Sequence, residues 1–444
     1  MEFALRNCLR RGPTPGSSSS RHLLRRAFSA GPLLRQIEDI GRLEDRICPQ
    51  YEESKGSDLL ALKWPMPPRN ILLVKKKGAP EVTQSLLEFA NHIKSTYSPI
   101  SVILERATAA EVHDLLPFPV YTTVESEKLP PEKIDLTVTL GGDGTILRAS
   151  SFFATSKLVP PVLSFSMGTL GFLGEWKFAE YKGAFREVYM SGAPPSDRAS
   201  ILEHIKPPSP NTPTGWSHAR GKSLGTSRPA KILVRSRLRV GVYTPDGRPV
   251  HRDGATMSSP TDDDGGVHAM NEVVIHRGKQ PHLAIVEVFV GGRFLTEAVA
   301  DGIIVSTPTG STAYSLSSGG SIIHPLVPSL LLTPICPRSL SFRPLVVPAS
   351  TPVTLRLSEK NRGREVEVSI DGVMMARGLG VGMEVRVWGE EIRKGVGAGG
   401  VGWEGGIPCV MRKTLGEGDA AAADGWVGGL NGLLKFNYPF GSEA

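Results

Sequence analysis

Apolar and polar positions along the first half of the chain predict strands and helices in turn. Ile71 to Val74 is a continuous apolar run typical of a buried strand, and the apolar positions between Val82 and Ile93 recur at helical spacing. Strands that alternate with helices pair in parallel, so we predict an α/β domain with a doubly wound parallel sheet. The predicted elements are strands over 71–74, 101–104 and 134–140 and helices over 82–93, 109–116 and 146–153.

The pattern changes after about Arg198, where short β-branched runs replace the helical windows. Gly291-Gly292 separates two of these runs and is typical of a tight hairpin. We therefore predict an all-β, antiparallel, sandwich-like second domain, with the active site between the two domains. The predicted strands cover 232–242, 272–276, 284–290, 353–357, 365–370 and 384–387.

Composition adds inserts and boundaries to this scheme. Segments near 207–229 and 245–266 are rich in Pro, Ser, Gly and Asp, which indicates surface inserts or disordered loops, and Gly395 to Gly406 predicts a flexible loop. The predicted parts are a leader over 1–35, an α/β phosphate-loop domain over 66–197, a β-rich substrate-binding domain over 198–390, and a glycine-rich insert with a closing segment over 391–444.

Charge and hydropathy exclude several functional classes. Most of the net charge of +7 comes from the first 35 residues, which carry seven arginines against one acid, Glu2. The remainder is near neutral and has no basic and aromatic stripe, so no nucleic-acid partner is expected. Apolar runs such as Ser329 to Ile335 are far shorter than the roughly 18 residues of a membrane span, so no membrane span is expected. The four cysteines are too widely spaced to suggest a zinc site.

The first 35 residues have the composition of a transit peptide: arginines and serines with apolar residues between them and no acid after Glu2. Arg26 to Ser29 resembles a mitochondrial processing site. The alternative is a disordered basic tail that raises solubility. Because acids resume abruptly at Glu38 and Asp39, we expect a mitochondrial transit peptide and a location in the matrix.

The run Gly141-Gly142-Asp143-Gly144-Thr145 follows a predicted strand and opens a helix. Glycines expose main-chain amides, and a helix amino terminus adds positive potential, so this glycine loop suits a polyphosphate. Asp143 would repel phosphate unless it faced a hydroxyl or a metal ion, which makes it the catalytic candidate. The alternative is a plain turn with Asp143 as helix N-cap, and the loop alone leaves both interpretations open. No Gly-Lys-Ser or Gly-Lys-Thr follows, unlike in common nucleotide hydrolases.

Two later segments carry hydroxyl-binding chemistry. Asn271 and Glu272 offer donors and acceptors for ribose hydroxyls or an adenine edge, although an exposed, solvated strand start is the alternative. In Thr309 to Tyr314, hydroxyl groups and a permissive glycine precede an aromatic ring on which a base can stack. Thr312 and Ser317 can bond to sugar or phosphate. The alternative there is a turn with a buried tyrosine.

The glycine loop resembles that of the superfamily which joins NAD kinases, diacylglycerol-type lipid kinases and phosphofructokinases. Met270 to Ile275 looks like the Asn-Glu segment of NAD kinases, and Asp301 to Ser315 looks like their long signature, completed by Gly319-Gly320 and His324-Pro325. The resemblance covers about 70–390. Details of Asn271 to Gly278, together with the leader, look most like the mitochondrial NADH kinases of fungi.

This resemblance implies ATP-dependent phosphorylation of the adenosine ribose 2′-hydroxyl of NADH and NAD, with Mg²⁺ and in a homo-oligomer. Aspartate is a weak base and phosphoryl transfer needs little activation of the nucleophile, so Asp143 is expected to locate the hydroxyl. Phe172, in a matching family loop, is expected to contact the substrate, with core packing as the alternative. The other implied substrate contacts are Asn271, Glu272, Asp301, Thr309, Thr312, Ala313, Tyr314 and Ser317.

Two rival interpretations remain at this point. A lipid kinase would share the glycine loop but should lack the signature from Thr309 to Tyr314. A dinucleotide sensor without catalysis would keep the pocket, and the intact Asp143 and its glycines argue against it.

Overall fold

The structure is a computed structural model that describes residues 36–54, 57–97, 99–123, 128–168, 171–193, 229–250, 266–397, 400–412, 430 and 434. The predicted leader, the insert near 207–229 except its last residue, most of the insert near 245–266 and almost all of the closing segment lie outside these residues. In the described part of the chain, no helix is both long and apolar enough to cross a membrane.

Strands account for most of the described secondary structure. The first nine are β1 (Ile37–Asp39), β2 (Gln50–Ser54), β3 (Ser57–Lys63), β4 (Asn70–Lys75), β5 (Ser101–Leu104), β6 (Val120–Thr122), β7 (Leu136–Leu140), β8 (Val162–Ser166) and β9 (Trp176–Lys177). The next nine are β10 (Lys231–Arg235), β11 (Leu238–Tyr243), β12 (Pro249–Val250), β13 (Val267–Ala269), β14 (Glu272–His276), β15 (Ala284–Val290), β16 (Arg293–Ala300), β17 (Gly302–Ser306) and β18 (Ser329–Ile335). The last nine are β19 (Leu345–Pro348), β20 (Val353–Leu357), β21 (Glu365–Ile370), β22 (Val373–Met374), β23 (Leu379–Gly380), β24 (Glu384–Gly389), β25 (Arg393–Gly397), β26 (Gly400–Glu404) and β27 (Ile407–Met411).

The helices are fewer and lie mainly in the first half. The α-helices are α1 (Pro80–Thr96), α2 (Arg106–Val112), α3 (Asp143–Ser151), α4 (Tyr181–Tyr189) and α5 (Tyr314–Ser317). Short 3₁₀ helices cover Ile40–Arg42, His113–Leu115, Pro131–Lys133, Phe178–Glu180 and Thr309–Thr312.

An 11-stranded sheet, called here the large sheet, contains the predicted doubly wound core. Its order is β1-β6-β5-β4-β7-β8-β27-β10-β3-β2, with β9 beside β8. Pairs from β1 to β27 are parallel, whereas β10, β3 and β2 run antiparallel to their neighbours. The chain runs from β4 outward to β6 and then returns to β7 on the other side of β4. The carboxyl ends of β4 and β7 therefore form the switch point at which doubly wound sheets bind ligands.

Helix α1 shows how the sequence pattern produces the helices that cover the large sheet. Pro80 stands in the first turn, where the N–H groups have no partner within the helix, so the lack of an N–H costs nothing there. The buried residues that follow recur every three or four positions. Phe89, on this buried face, packs edge-on against Phe185 of α4 at 5.5 Å between ring centroids. The predicted alternation of strand and helix is confirmed here.

Two antiparallel sheets pack against each other and form the second domain, called here the sandwich. One has the order β12-β11-β24-β20-β15-β16 and the other β19-β18-β17-β14-β21-β22. Their inner faces share one apolar core, which includes Val240, Val286, Val305 and Leu355. The predicted hairpin is confirmed, since Gly291 and Gly292 join β15 to β16 with φ angles of 58° and 76°.

Two local predictions are wrong. The run 232–242 is not one strand: it divides into β10 in the large sheet and β11 in the sandwich. The segment from Gly395 to Gly406 contains the hairpin of β25 and β26 instead of a flexible loop. Trp403 anchors this hairpin, because its indole N–H donates to the carbonyl of Tyr51 at 3.2 Å.

Buried polar contacts join the large sheet and its helices to the sandwich. Arg237, 1% exposed, donates to the carbonyls of Phe153 and Ser156 at 2.9 and 2.8 Å and to Glu390 at 2.5 and 2.7 Å. Met270, just before β14, packs in the same apolar cluster as Ile146 and Ala149 of α3. The sandwich segment that begins at Met270 is therefore in direct contact with the helix that begins at Asp143.

Candidate active site

The glycine loop lies at the switch point of the large sheet. The amide of Lys76, after β4, donates to the carbonyl of Leu140 at the end of β7 at 2.8 Å. Gly141 follows, and a side chain there would lie 2.2 Å from the hydroxyl oxygen of Thr145, so only glycine fits. The predicted phosphate loop thus occupies the crevice where this fold binds ligands.

Gly142 and Gly144 leave open space at the amino terminus of α3. Both are exposed, and a Cβ atom at either position would meet no described atom within 4 Å. Gly142 is the N-cap residue and has no side chain with which to cap the helix. The first amides of α3 are therefore accessible to an anion.

Asp143 is the first residue of α3 and is half-buried. Its two carboxylate oxygens accept hydrogen bonds from the amides of Phe172 and Leu173 at 3.0 and 3.1 Å. A Cβ atom at Gly171 would lie 2.2 Å from this carboxylate. The interpretation of Asp143 as an N-cap is therefore wrong, because the loop after β8 holds the carboxylate instead. Substrate contact by the Phe172 ring stays a prediction.

Asn271 and Glu272 are buried, with 6% and 8% of their surfaces exposed, so the alternative of an exposed strand start is wrong. Asn271 Oδ1 and Glu272 Oε2 accept no hydrogen bond from any described residue. A buried polar group without a partner costs about 1–3 kcal/mol, which a bound ligand can recover. Burial, and then the nearby Asp371 carboxylate, raise the pKa of Glu272 to about 8. Near neutral pH its carboxyl group can therefore donate a hydrogen bond.

Two residues that the sequence analysis missed contact this segment. Asp371 accepts hydrogen bonds from its main-chain amides, and Thr307 donates to its carbonyls. The dipeptide Asp371-Gly372 after a β-branched run signals a two-residue hairpin and could have located the turn. Its contact with a segment a hundred residues away has no local signal.

The segment from Thr309 to Tyr314, called here the signature loop, lies directly against Asn271. Thr309 is buried, and a side chain at Gly310 would lie 2.2 Å from the carbonyl oxygen of Asn271. Tyr314 begins α5 and is 41% exposed, so the alternative of a buried tyrosine is wrong. Thr312 and Ala313 are half-buried and Ser317 is exposed. The loop therefore presents hydroxyl groups and an aromatic ring beside the buried pair.

Asp301 lies away from this group. In the antiparallel pair of β14 and β17, Glu272 is opposite Ser306 and His276 is opposite Gly302. Asp301 is five residues before Ser306 and is therefore about 17 Å along the sheet from the Glu272 end. Its carboxylate forms an ion pair with Arg277 at 2.5 Å. One chain alone does not bring Asp301 to the other predicted contacts, and its role stays a prediction.

A glycine loop at the switch point of an α/β sheet, with buried polar side chains in the adjoining sandwich, is typical of a nucleotide-binding protein. Residues 73–193 match the ATP-NAD kinase N-terminal domain, and residues 270–388 match the ATP-NAD kinase C-terminal domain.

Similar proteins agree with this result. The mitochondrial NADH kinase of Schizosaccharomyces pombe is 37% identical over 91% of this chain and 86% of its own length. The mitochondrial NADH kinase of Saccharomyces cerevisiae is 33% identical over 93% of this chain and 91% of its own length. The crystal structure of yeast NADH kinase complexed with NADH superposes with a TM-score of 0.68 at 33% identity, covering 92% of this chain and 100% of that one. The chain therefore belongs to the ATP-NAD kinase family.

Proposed function

We propose that this chain transfers the γ-phosphoryl group of ATP to the 2′-hydroxyl of the adenosine ribose of NADH and NAD, producing NADPH and NADP in the mitochondrial matrix. The proposal rests on one observation: a glycine loop lies at the switch point, and the same chain carries buried acceptors on Asn271 and Glu272 that have no partner among the described residues. The names of the relatives support NADH as an acceptor and mitochondria as the location.

The glycine loop is the proposed binding site of the ATP phosphates. The phosphates would contact Gly141, Gly142, Gly144 and Thr145. The open space at Gly142 and Gly144 lets phosphate oxygens approach the amides of α3. Among the described residues, no three His, Cys, Asp or Glu side chains converge as a metal site. We propose that Mg²⁺ arrives as the MgATP complex, because Mg²⁺ is commonly held by substrate phosphates with few protein ligands.

The dinucleotide is proposed to bind across the sandwich side of the crevice. Asn271 and Glu272 would satisfy their free hydrogen-bonding capacity on the ribose hydroxyls, and Tyr314 would stack on a base. The remaining proposed contacts are Phe172, Asp301, Thr309, Thr312, Ala313 and Ser317. We also propose that the protein is a homo-oligomer, which light scattering of the purified protein would test.

Asp143 is proposed to orient the attacking hydroxyl. The 2′-oxygen forms a bond to the γ-phosphorus, the bond from that phosphorus to the β–γ bridging oxygen breaks, and ADP leaves. The hydroxyl proton passes to Asp143 late in this step. The two amide hydrogen bonds to the carboxylate set its direction, which fits a role in positioning more than one in strong base catalysis.

The test is to incubate purified protein with MgATP and either NAD or NADH and to measure NADP or NADPH. We expect Asp143→Asn to lower kcat at least about a hundredfold while dinucleotide affinity changes little. Asp114→Asn, at an exposed site in the same layer, is the matched control. Turnover by Asp143→Asn at the wild-type rate would refute the role of Asp143. Absence of product from the wild-type protein, with dinucleotide still bound, would favour the sensor.

A further inference from the structure

The hairpin between β21 and β22 turns at Asp371, whose carboxylate contacts a distant segment of the chain. Ile370 pairs with Val373, so Asp371 and Gly372 form a two-residue turn with φ angles of 47° and 74°. Positive φ angles at both positions are typical of a type I′ turn, and aspartate tolerates this conformation better than most residues. The tight turn limits where the Asp371 carboxylate can lie.

That carboxylate accepts hydrogen bonds from three successive amides. The distances are 2.7 Å to Met270 N, 2.8 Å to Asn271 N and 3.1 Å to Glu272 N. The Asp371 amide in turn donates to the carbonyl of Glu272 at 3.0 Å. One carboxylate thus binds the main chain of the segment to which both proposed ribose-binding residues, Asn271 and Glu272, belong.

Thr307 binds the same segment through its carbonyls. Its amide donates to the carbonyl of Asn271 at 2.9 Å and its hydroxyl donates to the carbonyl of Met270 at 2.7 Å. The hydroxyl also accepts from the amide of Gly310 at 3.0 Å. Thr307 is 1% exposed, so these contacts are protected from water. It therefore connects the Asn-Glu segment to the signature loop.

The main chain from Met270 to Glu272 is thus hydrogen-bonded on both sides, whereas side-chain acceptors of Asn271 and Glu272 remain unpaired among the described residues. A rigid main chain that carries unpaired side chains is what a preorganised binding site requires. We propose that Asp371 and Thr307 are positioning residues that hold Asn271 and Glu272 in the geometry that binds the dinucleotide ribose. This inference rests on the role proposed above for Asn271 and Glu272.

The experiment compares steady-state kinetics of four variants. Asp371→Asn keeps the side-chain size and the tolerance of positive φ but turns one of the two acceptors into a donor. Thr307→Val removes the hydroxyl at constant shape, and Thr307→Ser retains it. Asp246→Asn is the matched control, because Asp246 also precedes a glycine of positive φ in a turn of the sandwich and accepts hydrogen bonds there.

We expect Asp371→Asn and Thr307→Val to raise the KM for NADH and NAD about tenfold or more, with the KM for ATP within about twofold of wild type. Thr307→Ser should restore most of the affinity and Asp246→Asn should change neither KM. A merely structural role would lower the melting temperature of Asp371→Asn and Thr307→Val and leave the KM for dinucleotide unchanged, which would overturn the inference. If Asp371→Asn does not fold, the Thr307 pair decides alone.

Asn271→Ala separates this inference from the proposed function. An unchanged KM for dinucleotide in Asn271→Ala would show that the ribose contact itself is misassigned, and the positioning role would be lost with it. A raised KM in Asn271→Ala together with wild-type values in Asp371→Asn and Thr307→Val would leave the contact intact and overturn the positioning role only.

Discussion

Replacing Glu272 with glutamine keeps the size of the side chain but removes its titration. Glu272 is 8% exposed, and its Oε2 atom has no partner among the described residues. Burial and the Asp371 carboxylate disfavour the charged form and raise the pKa to about 8. Wild-type protein must therefore either keep a proton on Glu272 or bury a charge, and the glutamine variant does neither.

The size of the effect follows from proton linkage. The pKa of Glu272 is about 8 in the folded chain against an ordinary value of 4.5, a difference of about 3.5. At about 1.36 kcal/mol per unit, the unfolding free energy of the wild type should decrease by up to about 5 kcal/mol. The folded chain holds a proton that the unfolded chain releases between pH 4.5 and 8, so stability is lost as pH rises through this window. Movement of the side chain toward water would reduce the loss.

The assay is urea denaturation of wild type and Glu272→Gln at pH 5, 6.5, 8 and 9. The advantage of the variant should grow from pH 5 to 8 and then level off, because the other titrating groups cancel in the comparison. Glu367→Gln, at an exposed site on the neighbouring strand β21, is the control and should show no such growth. A stability difference between wild type and Glu272→Gln that does not change with pH would refute the reasoning.

Three further substitutions probe other parts of the structure. Tyr314→Ala should leave the melting temperature unchanged because the residue is 41% exposed, but should raise the KM for dinucleotide about tenfold; an unchanged KM would exclude stacking. Arg237→Met removes the guanidinium that pairs with buried Glu390 and leaves that carboxylate with the Gly406 amide and His268, so denaturation should show a loss of about 3 kcal/mol; a loss below about 1 kcal/mol would contradict this. Gly192→Ala places a Cβ atom 2.6 Å from main-chain atoms of Trp64 at a φ of 101°, so the melting temperature should fall, and an unchanged value would count against the predicted strain.

The connection between the two layers bears on how the site works. The ATP phosphates and the dinucleotide are proposed to bind to different layers, so transfer requires that the layers hold a constant separation. The buried contacts of Arg237 with Glu390, Phe153 and Ser156 oppose relative movement. The packing of Met270 against α3 does so nearer to the site. Substitutions at these contacts would therefore affect kcat as well as stability.

Local patterns predicted much of the fold. The strands Ser101–Leu104, Glu272–His276 and Ala284–Val290 lie where the apolar and β-branched runs predicted them. Strand and helix periodicity follows from the local backbone geometry, which sets the direction of successive side chains, so short windows contain the information. The prediction of a single strand over 232–242 was wrong, because a short window cannot show that β10 and β11 belong to different sheets.

The sequence by itself determined the alternation of strand and helix, the Gly291-Gly292 hairpin, and the glycine loop with its aspartate. It also supplied the segments that resemble NAD kinases. Only the tertiary structure decided that Asp143 is held by the amides of Phe172 and Leu173, and that Asp371 and Thr307 bind the segment of Asn271. Those contacts join residues far apart in the chain. Their geometry depends on how sheets pair and pack, which no local pattern of residues encodes.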